Sequence, residues 1–231
     1  MNNITQEFQT IHFTSDNNTI QTADSESPML PEKVLTKENM TVWTWLVSKG
    51  ISNALSGLSQ MIGTEIKVTS IDLKWLPAQK VIDMLGGPET TVVGIYLTIE
   101  GDATGHIMML HDTKIAFQLI DMQLGFPEGT THDLDEMSYS VLGEMGNITG
   151  SFFLNALADS TSLVLMPSPP SVLVDMVGAI MNVPLSFILQ ESDNALIVKA
   201  NFSANDKLLE GTFMVMPTIQ FMNTILNNQK A

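Results

Sequence analysis

The sequence predicts a mixed α/β fold of the α+β type, in which an antiparallel sheet packs with long helices. Short β-branched runs such as GIYLTIEG (94–101) and ALIVKANF (195–202) are bounded by turn residues, which is typical of hairpin strands. Two long stretches with helical spacing precede such runs, one in each half of the chain. Similar segments recur in the same order, so we expect a helix–strand–helix–hairpin unit that is duplicated with pseudo-twofold symmetry.

Each half is expected to contain the same series of elements. In the first half we predict a helix at 38–62, a strand at 66–73, a helix at 77–85, a hairpin of 92–100 with 104–110, and a closing helix at 113–124. In the second half we predict a helix at 134–159, a strand at 162–166, a helix at 169–180, a hairpin of 184–191 with 195–203, a further strand at 210–216, and a closing helix at 217–227.

The duplication rests on two pairs of similar segments. TSIDLKWLPAQKVIDML begins at Thr69 and TSLVLMPSPPSVLVDMV at Thr161, a shift of 92. GHIMMLHDTKIAFQLI at Gly105 is similar to GTFMVMPTIQFMNTIL at Gly211. We therefore predict one domain at 37–231, made of two repeats at about 38–128 and 133–228. Residues 1–36 are polar and predict a flexible N-terminal tail, in which FQTIHF (8–13) alternates and is a candidate strand.

Composition excludes several classes of function. The chain of 231 residues has a formal net charge of −15, which disfavours nucleic acid and anionic membranes as partners. It has no cysteine, and all 10 basic residues are lysines, so cysteine nucleophiles and arginine fingers are absent. No apolar run is long enough to span a bilayer, and the first residues do not resemble a signal peptide. We expect a cytoplasmic protein, and its oligomeric state stays open.

The predicted helix at 134–159 combines an apolar face with a polar stripe and three glycines. Asp133 or Asp135 can cap its start. The helical spacing groups the following side chains: an apolar face of Met137, Val141, Met145, Ile148 and Phe152; a polar stripe of Ser140, Glu144, Asn147 and Ser151; and a glycine flank of Gly143, Gly146 and Gly150. An interior glycine costs roughly 1 kcal/mol relative to alanine, so we expect another backbone or side chain to pack closely against that flank. By spacing alone, Glu144 and Asn147 also fit the exposed face of an ordinary amphipathic helix.

The pattern S-x-x-x-E-x-x-N, followed by 22 residues and a proline, is formed by Ser140, Glu144, Asn147 and Pro170. It resembles the active-site signature of the CheC/CheX/FliY family of chemotaxis phosphatases. EMGNITGSFFLNALADSTSLVLMPSPP is similar to that family beyond the motif, and the resemblance extends over about 38–228. The length and the repeated segments resemble CheC more than CheX, whereas a single working site resembles CheX more than CheC. The resemblance therefore implies a CheC-like fold.

The resemblance implies hydrolysis of the aspartyl phosphate of a CheY-type response regulator. Asn147 would orient the attacking water, and Glu144 would pair with a lysine of the receiver. Ser140 would support their geometry, and Pro170 would shape the start of the next helix. The enzyme would need no metal or cofactor of its own, because the receiver supplies Mg²⁺. The alternative that the resemblance leaves open is a non-catalytic adaptor, which binds phosphorylated receiver or the receptor deamidase CheD.

Other candidate sites are weaker. Glu191, Asn194 and Pro217 also satisfy E-x-x-N-x22-P, but they fall in a predicted hairpin region, where strand geometry would separate the side chains. The first repeat has no matching pair: the family alignment places Trp45 and Ser48 at the two positions, and a shift of 92 places Ser52 and Leu55 there. The resemblance thus implies one working site. Trp43 and Trp45 on the first helix are more typical of a core, and if exposed they would indicate a protein-binding surface in the first repeat. His106, His111 and His132 are scattered and predict no metal site.

Overall fold

The computed structural model describes residues 11–15, 37–204 and 207–228, and within them it contains six helices and eight strands. The helices are α1 Lys37–Ile62, α2 Ala78–Met84, α3 Thr113–Leu124, α4 Glu136–Thr161, α5 Val177–Ile188 and α6 Ile219–Asn227. The strands are β1 Ile11–Ser15, β2 Ile66–Pro77, β3 Thr91–Gly101, β4 Gly105–His111, β5 Leu165–Pro167, β6 Ser171–Met176, β7 Asn194–Ala204 and β8 Lys207–Pro217. No described helix is both long and apolar enough to cross a membrane.

The strands form one sheet in the order β1-β2-β7-β8-β4-β3-β5, and β6 also pairs with β3. The pairing of β1 with β2 is parallel, and every other pairing is antiparallel. The sheet therefore confirms the predicted fold class. β1 belongs to the segment predicted as a flexible tail, and the other residues of that segment lie outside the described ranges.

Helices cover both faces of the sheet because the central strands are apolar on both sides. In β4, Ile107 and Met109 join the larger core, to which α1, α3, α4 and α6 contribute. The alternate residues Met108 and Leu110 join a smaller core with α2 and α5. This period of two is what a pleated strand imposes on its side chains. The long helices α1 and α4 thus lie on the same face, where Gly50 of α1 allows Phe153 of α4 to approach.

The two halves of the chain present their elements in a similar order, although the second has two strands, β5 and β6, where the first has β2. α1 and α4 both have 26 residues and begin 99 positions apart, at Lys37 and Glu136. At the centre of the sheet, β4 and β8 pair from Gly105↔Pro217 to His111↔Gly211. The predicted shift of 92 is wrong, because Thr69 lies within β2 whereas Thr161 ends α4. The duplication itself stays an interpretation.

The second half also departs from the predicted elements. The helix expected at 169–180 is wrong, since Ser171–Met176 is strand β6 and pairs with β3. The strand expected at 184–191 is wrong as well, because most of that segment belongs to helix α5. The hairpin consists of β7 and β8, rather than 184–191 with 195–203. Short apolar runs such as VPLSFIL fit a buried helix and a buried strand equally well, so tertiary pairing decides between them.

Candidate active site

Helix α4 carries the predicted site, and its first turn is fixed by Asp135. The Asp135 carboxylate accepts hydrogen bonds from the Ser138 backbone N–H at 2.8 Å and from the Ser138 hydroxyl at 2.7 Å. The side-chain and backbone hydrogen bonds from Ser138 lower the pKa of Asp135, because they favour its ionised form. Of the two predicted caps, Asp135 is therefore the one that the structure uses.

The glycine flank of α4 faces β3 and the segment that follows β5. A Cβ on Gly146 would lie 2.5 Å from Ile95 Cγ2 and 3.3 Å from Pro170 Cβ. A Cβ on Gly150 would lie 3.2 Å from Leu97 Cδ2. The predicted close approach is confirmed, and it brings the helix against the sheet at a distance that larger side chains would prevent.

The exposed side of α4 carries the three polar residues of the motif. Ser140, Glu144 and Asn147 are all exposed, and spacings of four and three place them on one side of the helix. Within the described ranges, the side chains of Glu144 and Asn147 make no hydrogen bond or ion pair. A carboxylate and an amide are therefore presented one turn apart, with their polar atoms available to a partner.

Pro170 lies beside this helix, although it does not have the structural role predicted for it. It precedes strand β6, and the next helix begins only at Val177, so it does not shape a helix start. Pro170 instead packs against α4 between the positions of Gly143 and Gly146. The adjoining Ser168 ties this turn to β3, since Thr98 N donates to Ser168 Oγ at 2.9 Å and Ser168 N donates to Thr98 O at 2.9 Å. Pro170 therefore contacts the helix that carries the other three motif residues, but on its glycine flank rather than on their exposed side.

The buried face of α4 is rotated from the predicted one. The helical spacing predicts Met137 on the apolar face, but 58% of this residue is exposed. Val141, Ile148 and Phe152 are only partly buried. The residues that the helix buries include Leu142, Met145, Gly146, Thr149, Gly150 and Phe153. Sequence reasoning missed this because two glycines and a threonine add little to an apolar pattern, although here they define the contact with β3.

The first half has no equivalent polar pair. α1 and α4 have the same length, so an end-to-end match places Trp45 at the position of Glu144 and Ser48 at that of Asn147. Trp45 is 58% exposed, with Lys49 Nζ 5.4 Å from its ring centroid, whereas Ser48 is buried. Neither side chain offers a carboxylate or an amide, as predicted for this half.

The residues of the second match to the motif have structural roles. Glu191 Oε2 accepts a hydrogen bond of 2.8 Å from Ile219 N, at the start of α6. Asn194 is the first residue of β7 and lies in the sheet. Glu191 therefore satisfies a free N–H at a helix N-terminus, where a negative charge is favourable. Among the described residues, no group of three or more His, Asp or Glu side chains could hold a metal ion.

Comparison with known proteins connects these observations. A model of the CheC-like family matches residues 137–174, which contain Ser140, Glu144, Asn147 and Pro170. The chain is 34% identical over 164 residues to a Bacillus subtilis (strain 168) protein named CheY-P phosphatase CheC, and the match covers 70% of this chain and 78% of that protein.

Solved structures share the fold. The X-ray structure of Thermotoga maritima FliY has a TM-score of 0.67 at 17% identity, covering 84% of this chain and 97% of that one. A CheC-like superfamily protein from Shewanella has a TM-score of 0.51 at 15% identity, covering 74% and 96%. A chain of the CheX–CheY–BeF3–Mg complex from Borrelia burgdorferi has a TM-score of 0.50 at 17% identity, covering 74% and 96%. By its similarity to the Bacillus subtilis protein over most of its length, the chain belongs to the CheC-like family.

Proposed function

We propose that this protein hydrolyses the aspartyl phosphate of a CheY-type response regulator, at one site formed by Glu144 and Asn147. The observation that carries the proposal is the exposed pair, without a partner among the described residues, on a helix held against the sheet by its glycine flank. The relative that is 34% identical is named a CheY-P phosphatase, which favours the same activity here. Rigid placement matters because a catalytic group must stay within a fraction of an ångström of its productive position.

In this proposal Asn147 orients the attacking water. Its amide oxygen accepts a hydrogen bond from the water and directs the water's lone pair towards the phosphorus, in line with the bond that breaks. An amide does this without gaining or losing a proton, so the contribution is positional. The exposed position of Asn147 leaves room for the receiver's phosphorylated aspartate to approach the helix.

Glu144 fixes the position of the receiver on the helix. Its carboxylate, exposed and one turn before Asn147, pairs with a lysine beside the phosphorylation site of the receiver. Hydrogen bonds between charged groups are about twice as strong as neutral ones, and they fix both distance and direction. Ser140 lies one turn nearer the N-terminus of the helix and supports the geometry of this contact. Pro170 keeps the turn after β5 against the helix.

The reaction in this proposal takes its metal ion from the receiver. The Mg²⁺ that the resemblance implies would be bound by the receiver's own acidic residues and would neutralise charge on the phosphoryl oxygens. This chain would contribute the water-orienting amide and the pairing carboxylate. The substrate complex, rather than this chain alone, would then contain the complete catalytic site.

The competing proposal is an adaptor that binds phosphorylated receiver or CheD without hydrolysis. The exposure of Trp45 favours it, because a large aromatic side chain at 58% exposure offers a contact surface in the half that lacks the polar pair. An adaptor needs Glu144 and Asn147 only for contact. An enzyme needs Asn147 for turnover.

The test is the rate of phosphate loss from phosphorylated CheY of the same organism, with wild-type protein and with Asn147→Ala. We expect wild type to accelerate the loss, and Asn147→Ala to lower that acceleration by about a hundredfold, the range of one lost positioning contact. Asn155→Ala, at another exposed asparagine of α4, is the matched control and should retain full activity.

Binding measured in parallel separates the two proposals. If Asn147→Ala still binds receiver carrying beryllium fluoride as firmly as wild type, the loss of turnover is catalytic. If wild type does not accelerate phosphate loss although it binds the receiver, the phosphatase proposal fails and the adaptor stands.

A further inference from the structure

The two helices on the side of the smaller core, α2 and α5, differ in length, and a cavity lies beside the shorter one. α5 has 12 residues and α2 has only 7. The extra length of α5 places the Phe187 ring 5.4 Å from the His106 ring, and the Tyr96 hydroxyl shares a hydrogen bond of 2.8 Å with His106 Nδ1. Beside the end of α2, a cavity of about 390 Å³ lies among β2, β4, β7 and β8 instead.

The strand registers show which residues of β7 and β8 lie at the positions that Tyr96 and His106 have in β3 and β4. Lys199 is the sixth residue of β7, as Tyr96 is the sixth of β3. Thr212 pairs with Asn201 as His106 pairs with Thr98. Where β3 and β4 carry a hydrogen-bonded tyrosine and histidine beneath α5, β7 and β8 therefore carry a lysine and a threonine that line open space beside α2.

His111 ends β4 beside this cavity, and its ring lies on the opposite face of the sheet, next to Phe202 of the larger core. It is 1% exposed, and neither ring nitrogen has a hydrogen-bond partner among the described residues. Burial lowers the pKa of His111 to about 4, so the neutral ring offers one N–H donor and one acceptor. The ring is held beside Phe202, at 6.0 Å between centroids, and a Cβ on Gly211 would come within 2.7 Å of its Cε1. The ring nitrogens are therefore enclosed on the side of the larger core, and the polar contacts of the cavity come from other residues.

The charges around the cavity are of both signs. Lys199 makes no ion pair among the described residues. Asp112 caps α3 through Oδ1, which accepts a hydrogen bond from Lys114 N at 2.8 Å. Among the described residues, its Oδ2 accepts no hydrogen bond. Met84 and Leu85 add an apolar wall. The cavity therefore complements a molecule that carries a carboxylate, an ammonium group and an apolar side chain.

We propose that this cavity binds a small zwitterion with an apolar side chain, namely an α-amino acid of the size of leucine or phenylalanine. The carboxylate pairs with Lys199 and the Thr212 hydroxyl, the ammonium group pairs with Asp112, and the side chain lies against Met84 and Leu85. The volume is within the usual range for small-ligand sites. No lining residue comes from α4 or from 165–174, so this site is separate from the proposed phosphatase site.

The test is a titration of L-phenylalanine into the isotope-labelled full chain, with backbone amide resonances as the readout. We expect saturable shifts at His111, Gly211 and Thr212, with a dissociation constant in the millimolar range or below, as befits a ligand of this size. Hydrocinnamate lacks the ammonium group and phenethylamine lacks the carboxylate. Each should bind at least tenfold more weakly.

Two variants test the charges, and one serves as the control. Lys199→Gln and Asp112→Asn should each weaken phenylalanine binding at least tenfold, and asparagine preserves the helix cap. Lys74→Gln changes a lysine of β2 that does not line the cavity, and it should bind as wild type does. The proposal is overturned if no saturable shift occurs, if the shifts lie elsewhere, or if the two analogues bind as tightly as phenylalanine. Unchanged resonances outside the cavity show that each variant is folded.

Discussion

Gly146 of α4 lies directly against Ile95 of β3, and a Cβ on this glycine would come within 2.5 Å of Ile95 Cγ2. Gly143, one turn earlier, has more room, because its nearest neighbour would be Pro170 Cγ at 3.8 Å. We therefore expect substitution by alanine to have opposite effects on stability at these two positions of one helix. The contact at Gly146 sets the depth at which α4 lies on the sheet, and thereby the position of Asn147, the next residue.

Gly146→Ala should destabilise the protein, whereas Gly143→Ala should stabilise it. Alanine gains about 1 kcal/mol of helix propensity at either position. At Gly146 the added methyl group overpacks the contact with Ile95, at a cost of about 1 to 3 kcal/mol, so we expect a net loss of about 1 kcal/mol. Urea unfolding of both variants measures the difference. A Gly146→Ala variant as stable as Gly143→Ala would contradict the packing described here.

Glu144→Gln should reduce kcat/KM for phosphorylated receiver by about tenfold, because a charged hydrogen bond becomes a neutral one. The wild-type rate should fall as salt is added, and the variant rate should depend less on salt. Glu136→Gln is the matched control, since Glu136 is also exposed on α4 but lies two turns from Glu144. Equal losses in both variants would mean that general charge, and not a specific pair, guides the receiver.

The local parts of the site could be predicted from the sequence, and the long-range parts could not. Spacings of four and three place Ser140, Glu144 and Asn147 on one side of a helix whatever that helix packs against. The spacing of the glycines also predicts a close contact on that flank of the helix. Its partners, Ile95 and Pro170, lie 51 residues before and 24 residues after Gly146 in the sequence, and only strand pairing brings them together.

The same distinction explains the errors in the second half. Ser171–Met176 forms a strand because β3 offers it a pairing edge, and no property of six residues alone reveals that edge. The shift of 92 pairs similar residues that lie in elements of different type, a strand and a helix. The equivalent helices α1 and α4 instead begin 99 positions apart. Similar composition in apolar segments is therefore a poor guide to structural equivalence.

The two tryptophans of α1 should differ sharply in their effect on stability. Trp43 is fully buried, with its ring 5.6 Å from that of Phe221, whereas Trp45 is 58% exposed. Trp43→Ala should cost about 3 to 5 kcal/mol through loss of burial and the resulting cavity. Trp45→Ala should change the free energy of unfolding by no more than about 0.5 kcal/mol. Urea unfolding followed by circular dichroism measures both, and a large loss at Trp45 would show that its side chain serves the fold.

Asp121 should make the stability of the protein depend on pH in the acid range. Its buried carboxylate accepts backbone hydrogen bonds from Gly129 at 2.8 Å, Thr130 at 3.0 Å and Thr131 at 2.9 Å, and one from the Thr131 hydroxyl at 2.6 Å. Burial alone would raise the pKa of Asp121, but these hydrogen bonds outweigh it and lower the pKa below its ordinary value of 3.8. The carboxylate thereby holds the loop after α3 against the helix.

Because the folded pKa of Asp121 lies below the unfolded one, its stabilising contribution is present above about pH 4 and disappears as the pH falls through the folded pKa. Asp121→Asn should therefore cost about 2 to 3 kcal/mol near pH 7, since the amide turns its NH₂ group towards N–H donors. Its deficit relative to wild type should shrink as the pH falls below about 4. Asp133→Asn, at an exposed aspartate near the start of α4, is the control and should cost no more than about 0.5 kcal/mol. Urea unfolding across this pH range measures the deficit, and a deficit that stays constant would show that ionisation of Asp121 does not stabilise the loop.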